Sequence, residues 1–150
     1  MESKANHYTL LRLLEAYGNV TEMKVEKETG DRRMMLFTLW IFATLNYIYA
    51  DVVTLFDKSV ATSVTGLSQT TLLGAAILVE TAIAMVLLSR VLKYRANRLA
   101  NIIVGAVNTV AVLASLLVAT PALYYLFFGT IEIGTTLTII WYAWTWRNTV

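Results

Sequence analysis

The segment MMLFTLWIFATLNYIYADVVTLF, residues Met34–Phe56, decides the fold class. Its only charged side chain is Asp51, and the other residues are mostly apolar or aromatic. A helix needs about 20 consecutive, mostly apolar residues to cross the hydrocarbon core of a bilayer. The segment therefore predicts a membrane-spanning helix.

Three further segments have the same character: Thr71–Leu92, Leu99–Ala119 and Ala122–Trp146. A soluble helical bundle would show polar faces at a period of about 3.6 residues, and these segments do not. The 150-residue chain is 57% hydrophobic and only 15% charged, which is too apolar for an ordinary soluble domain. Since the connections are short, neighbouring helices should run antiparallel. We expect an all-α integral membrane protein, an up-down four-helix bundle.

Residues 1–33 differ in composition from the rest of the chain. Tyr8–Tyr17 places leucine and tyrosine side chains on one helical face, and Gly18 is the expected end of that helix. Asn19–Arg33 mixes acidic and basic residues and predicts a solvated linker. We therefore divide the chain into a cytoplasmic N-terminal helix with a charged linker, and a transmembrane domain of residues 34–150. The short helix suits the membrane surface, a partner protein or the cytoplasmic end of the bundle.

Lysine and arginine residues are unevenly distributed among the connections. They are concentrated before the first span and around the turn Lys93–Arg98. The loop after the first span holds only Lys58, and the connection after the third span holds none. Because such residues favour the cytoplasmic side of a membrane, we expect both termini and the second connection in the cytoplasm.

Missing residue types exclude several function classes. The chain has no cysteine, and its one histidine, His7, precedes the spans, so thiol chemistry and histidine-rich metal sites are not expected. No lysine lies inside a span to form a Schiff base, and the chain has no glycine-rich phosphate loop, Gly-x-Ser-x-Gly or HExxH motif. We expect no cofactor and no nucleic-acid partner, and the sequence favours a non-enzymatic function.

Three carboxylates fall within the predicted spans: Asp51, Glu80 and Glu132. A charge at the bilayer centre costs at least about 2.5–3.5 kcal/mol, so such residues usually face the interior of the bundle or a wet cavity. Their distances from the span ends place all three in the outer half of the membrane. We expect them to converge on one site, where a carboxylate can exchange a proton or accept a cation.

Helical spacing identifies polar companions for these acids. Tyr47, Asn46 and Asn108 are expected to supply hydrogen bonds to a ligand that the acids hold. A purely structural role is the alternative for Asn101, Asn108 and Thr136, because amides and hydroxyls often hydrogen-bond membrane helices together. The predicted inward stripes are Trp40, Thr44, Tyr47, Asp51 and Thr54 on the first span, Asn101, Gly105, Asn108, Val112 and Ser115 on the third, and Tyr125, Phe128, Gly129, Glu132 and Thr136 on the fourth. The predicted ligand- or ion-binding residues are Asp51, Glu80, Glu132, Tyr47, Asn46 and Asn108, with no catalytic residue and no metal site.

Two stretches carry a resemblance to a known family: LNYIYADVVTLF (Leu45–Phe56) and ETAIAMVLLSRVLKYRANRLANI (Glu80–Ile102). Together they resemble an uncharacterised bacterial family of small four-span membrane proteins, a domain of unknown function whose most distinctive string is LNYIYAD. The resemblance covers Met34 to Trp146 and implies a multi-pass protein of the bacterial inner (cytoplasmic) membrane, without an established activity.

Two looser resemblances concern the second span. With four spans and an acid in an alanine-rich helix, the chain is similar to DoxX-like four-span proteins. Some of these proteins are linked to quinone or redox chemistry. GAAILVETAIAMVLLSR (Gly74–Arg90) resembles the carboxylate-bearing helix of small multidrug exporters, in which a membrane glutamate binds protons or a cationic drug.

The sequence thus leaves three functions open. The first is transport or binding of a proton, cation or small solute in a carboxylate-lined cavity, with a homo-oligomer providing room for a path. The second is binding of a membrane lipid or quinone between the helices. The third is a non-catalytic assembly subunit that recruits a partner through its N-terminal helix.

Overall fold

The computed structural model describes residues 2–57, 66–118 and 122–146, and within them every regular element is an α-helix. All four helices contain a stretch that is long and apolar enough to cross a membrane. The predicted all-α four-helix bundle is therefore confirmed. The helices are α1 (Glu2–Phe56), α2 (Gln69–Val91), α3 (Tyr94–Val118) and α4 (Leu123–Trp144).

The helices form a closed ring in which each packs against two neighbours, in the order α1, α2, α3, α4 and back to α1. Contacts between α3 and α4 show their relative direction. The Tyr94 hydroxyl, at the start of α3, donates to the carbonyl of Trp146 just beyond α4. Near the other end of α3, Ser115 hydrogen-bonds Tyr125 in the first turn of α4. The two helices are thus antiparallel, as predicted.

Local sequence explains where α2 begins and why α3 turns back. Ser68 caps α2, since its hydroxyl accepts a hydrogen bond from the backbone N–H of Thr71 at 3.2 Å. At the other end, only Leu92 and Lys93 separate α2 from α3. Because this connection has only two residues, α3 runs antiparallel to α2.

Several fully buried side chains lie near this α2–α3 turn, and two of them are amides. The Trp40 indole N–H donates to Asn101 Oδ1 at 2.7 Å, and Asn101 Nδ2 donates to Asn97 Oδ1 at 2.6 Å. Asn97 in turn donates to the carbonyl of Ser89 at 2.6 Å. All four side chains are fully buried. Asn101 therefore has the structural role that the sequence left open for it, linking α1, α2 and α3.

Helices α3 and α4 approach each other closely at Gly105. A Cβ atom there would lie 2.9 Å from Ile140 Cγ1, which is closer than real side chains come. One turn further along α3, the Thr109 hydroxyl donates to the Thr136 hydroxyl at 2.7 Å. Small residues allow membrane helices to approach in this way, and hydroxyls then bond across the contact.

The predicted end of the N-terminal helix at Gly18 is wrong, and so is the linker after it. Helix α1 runs without interruption from Glu2 to Phe56. A glycine inside a helix costs only about 1 kcal/mol, and Gly18 does not adopt a left-handed conformation. The acidic and basic residues of 19–33 are strong helix formers at helical spacing, and Glu28 lies 3.9 Å from Arg32, one turn away.

Candidate functional site

All four helices contribute to a cavity of about 170 Å³ inside the bundle. It lies in the half of the bundle away from the α2–α3 turn, since α1 contributes residues from its last three turns and α4 from its first three. Most of its wall is apolar, and the polar groups come from α1, α3 and α4. The lining residues are Tyr47, Ala50, Asp51, Ala75, Leu78, Val79, Asn108, Ala111, Val112, Ser115, Tyr125 and Glu132.

Two of the predicted carboxylates, Asp51 and Glu132, face this cavity from different depths. Glu132 is buried, with 7% of its surface exposed, whereas Asp51 is exposed on α1 five residues before the helix ends. The two are close enough for their charges to interact. Within residues 2–57, 66–118 and 122–146, neither carboxylate accepts a hydrogen bond or pairs with a cation.

Tyr47 adds an unsatisfied hydroxyl to the same cavity. Its side chain is 8% exposed and lies one helical turn before Asp51. The buried phenol oxygen has no hydrogen-bond partner among the described residues, although it lies near Glu132. Buried polar groups in folded proteins are nearly always hydrogen-bonded. The hydroxyl is therefore available to a group other than the described residues.

Asn108 lines the cavity from α3, and its amide nitrogen is hydrogen-bonded within the bundle. Its amide nitrogen donates to the carbonyl of Val104 at 2.9 Å and, more weakly, to the Thr81 hydroxyl at 3.4 Å. Its side-chain oxygen accepts no hydrogen bond from the described part of the chain. Asn108 thus lines the cavity, makes a structural contact to α2 and keeps a side-chain oxygen that accepts no hydrogen bond from the described residues.

The structure does not bring Glu80 to the cavity, which corrects the expectation that all three acids converge. Glu80 lies at the middle of α2 and is exposed. Two residues along an α-helix rotate the side chain by about 200°, so Glu80 points away from the buried Ala82. The distance of Glu80 from the ends of its span gives its depth in the membrane, but it does not determine which face of the helix the residue occupies.

Asn46 is the second predicted site residue that lies outside the cavity. Its amide nitrogen donates to the carbonyl of Phe42 on its own helix at 2.9 Å. Tyr47, the next residue, takes the inward position instead.

Two polar residues that the site prediction omitted also line the cavity. Ser115 and Tyr125 hydrogen-bond each other at 3.0 Å, at the end of the cavity where α3 ends and α4 begins. Both belong to the predicted inward stripes, so their helical spacing in the sequence indicates that they face the interior of the bundle. Four of the six predicted residues, Tyr47, Asp51, Asn108 and Glu132, share the cavity, and ligand binding there stays a prediction.

The donor set of the cavity consists of carboxylate, phenol, amide and hydroxyl oxygens. In the part of the chain that the structure describes, no three histidine, cysteine, aspartate or glutamate side chains come together to hold a metal ion. Two carboxylates without a counter-cation among the described residues and a phenol without a partner there are groups whose chemistry suits a proton, a small cation or a cationic solute.

The fold and the cavity define a small helical protein of the multi-pass membrane class, with a polar site inside its bundle. Residues 23–150 match a family of unknown function, DUF6326, and the chain belongs to this family. The predicted membership of an uncharacterised family is thereby confirmed, and the match begins 11 residues before Met34 (34 − 23), inside α1. No similarity to DoxX-like proteins is found. No curated protein and no solved structure matches the chain.

Proposed function

We propose that the protein binds a small cation, or a proton, between Asp51 and Glu132 and carries it across the membrane. The observation that supports this proposal is the presence of two acidic side chains that face one intramembrane cavity without a counter-cation from the described residues. Leaving a carboxylate in an apolar bundle is costly unless something pairs with it. A cationic ligand supplies the missing charge, and the free Tyr47 hydroxyl and the Asn108 oxygen supply hydrogen bonds to it or to its water.

The size of the cavity limits the ligand. A cavity of about 150 Å³ accepts benzene, and a water molecule takes up about 30 Å³ of liquid volume. The 170 Å³ here therefore suits a hydrated proton, a hydrated monovalent cation or a small organic ammonium ion. Drug-sized ligands use pockets of roughly 300–1,000 Å³ and would need a larger opening.

A flux assay in liposomes tests the proposal. Purified protein is reconstituted, and the uptake of protons and of radiolabelled methylammonium is followed against empty liposomes. We expect uptake by the wild type and at most a tenth of it by the Asp51→Asn/Glu132→Gln double variant, because both negative charges are removed from the cavity. Glu80→Gln is the matched control, since it neutralises a membrane carboxylate outside the cavity, and we expect it to retain most of the flux.

The result that contradicts the proposal is a double variant that transports as fast as the wild type, or a wild type that transports neither probe. In the second case the lipid- or quinone-binding function and the assembly-subunit function, both of which stay predictions, become the better candidates. The largely apolar wall formed by Ala75, Leu78 and Val79 would then suit a lipophilic group.

We also propose that the protein lies in a bacterial inner membrane with both termini in the cytoplasm. The arginines around the α2–α3 turn and before Met34 support this orientation, which places the cavity in the outer half of the bilayer. The chain has no cysteine, so single cysteines can report the side directly. In spheroplasts, an impermeant maleimide is expected to label Gly66→Cys and not Arg95→Cys. Labelling of the opposite residue would invert the topology.

A further inference from the structure

A second cavity, of about 400 Å³, lies at the other end of the bundle, where α1 enters its apolar segment and α2 ends. Its lining combines two guanidinium groups with one carboxylate and little else: Gly30, Asp31, Arg33, Met34 and Arg90. Arg33 directly precedes the apolar run of α1, and Arg90 is in the last turn of α2. In a bilayer that contains the apolar parts of the four helices, this end of the bundle would lie near the lipid phosphate groups. The cavity shares no lining residue with the proposed cation site.

The two arginines lack partners of the kind that Arg32 and Arg98 have at the same end of the bundle. Arg32 lies 3.9 Å from Glu28 and donates to the carbonyl of Tyr142, and Arg98 donates to the carbonyl of Trp144. These contacts use the guanidinium groups of Arg32 and Arg98 within the helical bundle.

Arg33 and Arg90, by contrast, form no ion pair with any described carboxylate. The Nε of Arg33 is buried and has no hydrogen-bond partner among the described residues. Arg90 is held in place by Phe37, whose ring centre lies 5.0 Å from the guanidinium carbon. The cavity is therefore lined by two guanidinium groups that no described carboxylate neutralises, and one of them has a buried Nε without an acceptor.

We propose that this cavity, the Arg33–Arg90 pocket, binds the phosphate group of a phospholipid head group. A guanidinium matches a phosphate through two parallel N–H···O bonds, and basic pockets between membrane helices are known to hold lipid head groups. Asp31 is exposed and leaves the pocket with a net positive charge. Asp31 lines the same cavity, and we expect its carboxylate to pair with the ammonium of an ethanolamine head group, which carries both charges in one molecule.

Lipid binding to the delipidated protein in a non-ionic detergent tests the proposal by native mass spectrometry. The titrants are phosphatidylethanolamine, diacylglycerol, which lacks the phosphate, and glycerol 3-phosphate, which lacks the acyl chains. We expect phosphatidylethanolamine to bind at least ten times more tightly than diacylglycerol. The Arg33→Gln/Arg90→Gln variant is expected to bind it at least ten times more weakly than the wild type.

Lys93→Gln/Arg95→Gln is the matched control, because it removes two positive charges from the same end of the bundle outside the pocket, and we expect a change of less than twofold. Gly30→Leu keeps every charge and adds a side chain to the wall. A Cβ at Gly30 meets nothing within 4 Å, so this variant should fold and yet weaken binding.

Equal affinities for the arginine variant and the lysine–arginine control would overturn the proposal, as would equal binding of diacylglycerol. Glycerol 3-phosphate distinguishes the source of the phosphate. If it binds as tightly as the phospholipid, and with the same dependence on the two arginines, the lipid assignment is overturned in favour of a soluble phosphate ester.

Discussion

Asn101→Leu is expected to lower the free energy of unfolding by about 2–3 kcal/mol, the largest stability loss that we predict for one substitution. The change removes the acceptor of the Trp40 indole N–H and the donor to Asn97. An unsatisfied buried polar group costs about 1–3 kcal/mol, and each membrane hydrogen bond contributes about 0.6 kcal/mol on average. Unfolding by SDS titration from a mild detergent, followed by far-UV circular dichroism, measures the loss.

Asn46→Leu is the matched control for this substitution. The Asn46 amide bonds only to Phe42 on its own helix and links no two helices. We expect it to change the free energy of unfolding by less than about 0.5 kcal/mol, as for most substitutions outside a buried network. Equal losses for the two variants would show that the buried amides do not hold α1 and α3 together.

Ala111→Phe is expected to reduce cation flux to below a tenth of the wild-type rate while both acids stay in place. Ala111 lines the 170 Å³ cavity from α3. A phenyl ring is the size of the benzene that a cavity of about 150 Å³ accommodates, so it would fill most of the space that the ligand needs. The same liposome assay of proton and methylammonium uptake measures the effect. Because the variant fills the cavity without changing its charge, the assay tests whether the cation needs the space itself.

Ala106→Phe provides the comparison, since Ala106 is exposed on the same helix and lies outside the cavity. Its uptake should match that of the wild type. If Ala111→Phe transports normally, the path of the cation does not pass through this cavity, whatever the carboxylate variants do.

The fold was predictable because hydrocarbon imposes a simple rule on length and composition. The predicted span Met34–Phe56 ends at the same residue as α1, and the predicted span Thr71–Leu92 differs from α2 by only two residues at its start and one at its end. A membrane-spanning helix must satisfy its backbone hydrogen bonds internally, so an apolar run of sufficient length leaves few alternatives.

The site was predictable only in part because the inward face of α2 is marked by small residues instead of polar ones. Ala75, Ala82 and Ser89 recur every seven residues, and they line the cavity or are fully buried. That repeat excludes Glu80 from the inside. On α1, α3 and α4 the polar stripes themselves marked the inward face, which is why Tyr47 and Glu132 were placed correctly.

The unbroken course of α1 has a mechanical consequence. At about 1.5 Å per residue, Glu2 stands about 50 Å from Met34, whereas Asp51 lies about 25 Å beyond it on the other side. In the proposed membrane orientation, the helix would act as a lever that pivots near Met34, with a long arm outside the bilayer and a short arm that ends at the cavity wall. A sideways displacement of a few ångströms at Glu2 would then reach Asp51 reduced to about half, in the opposite direction.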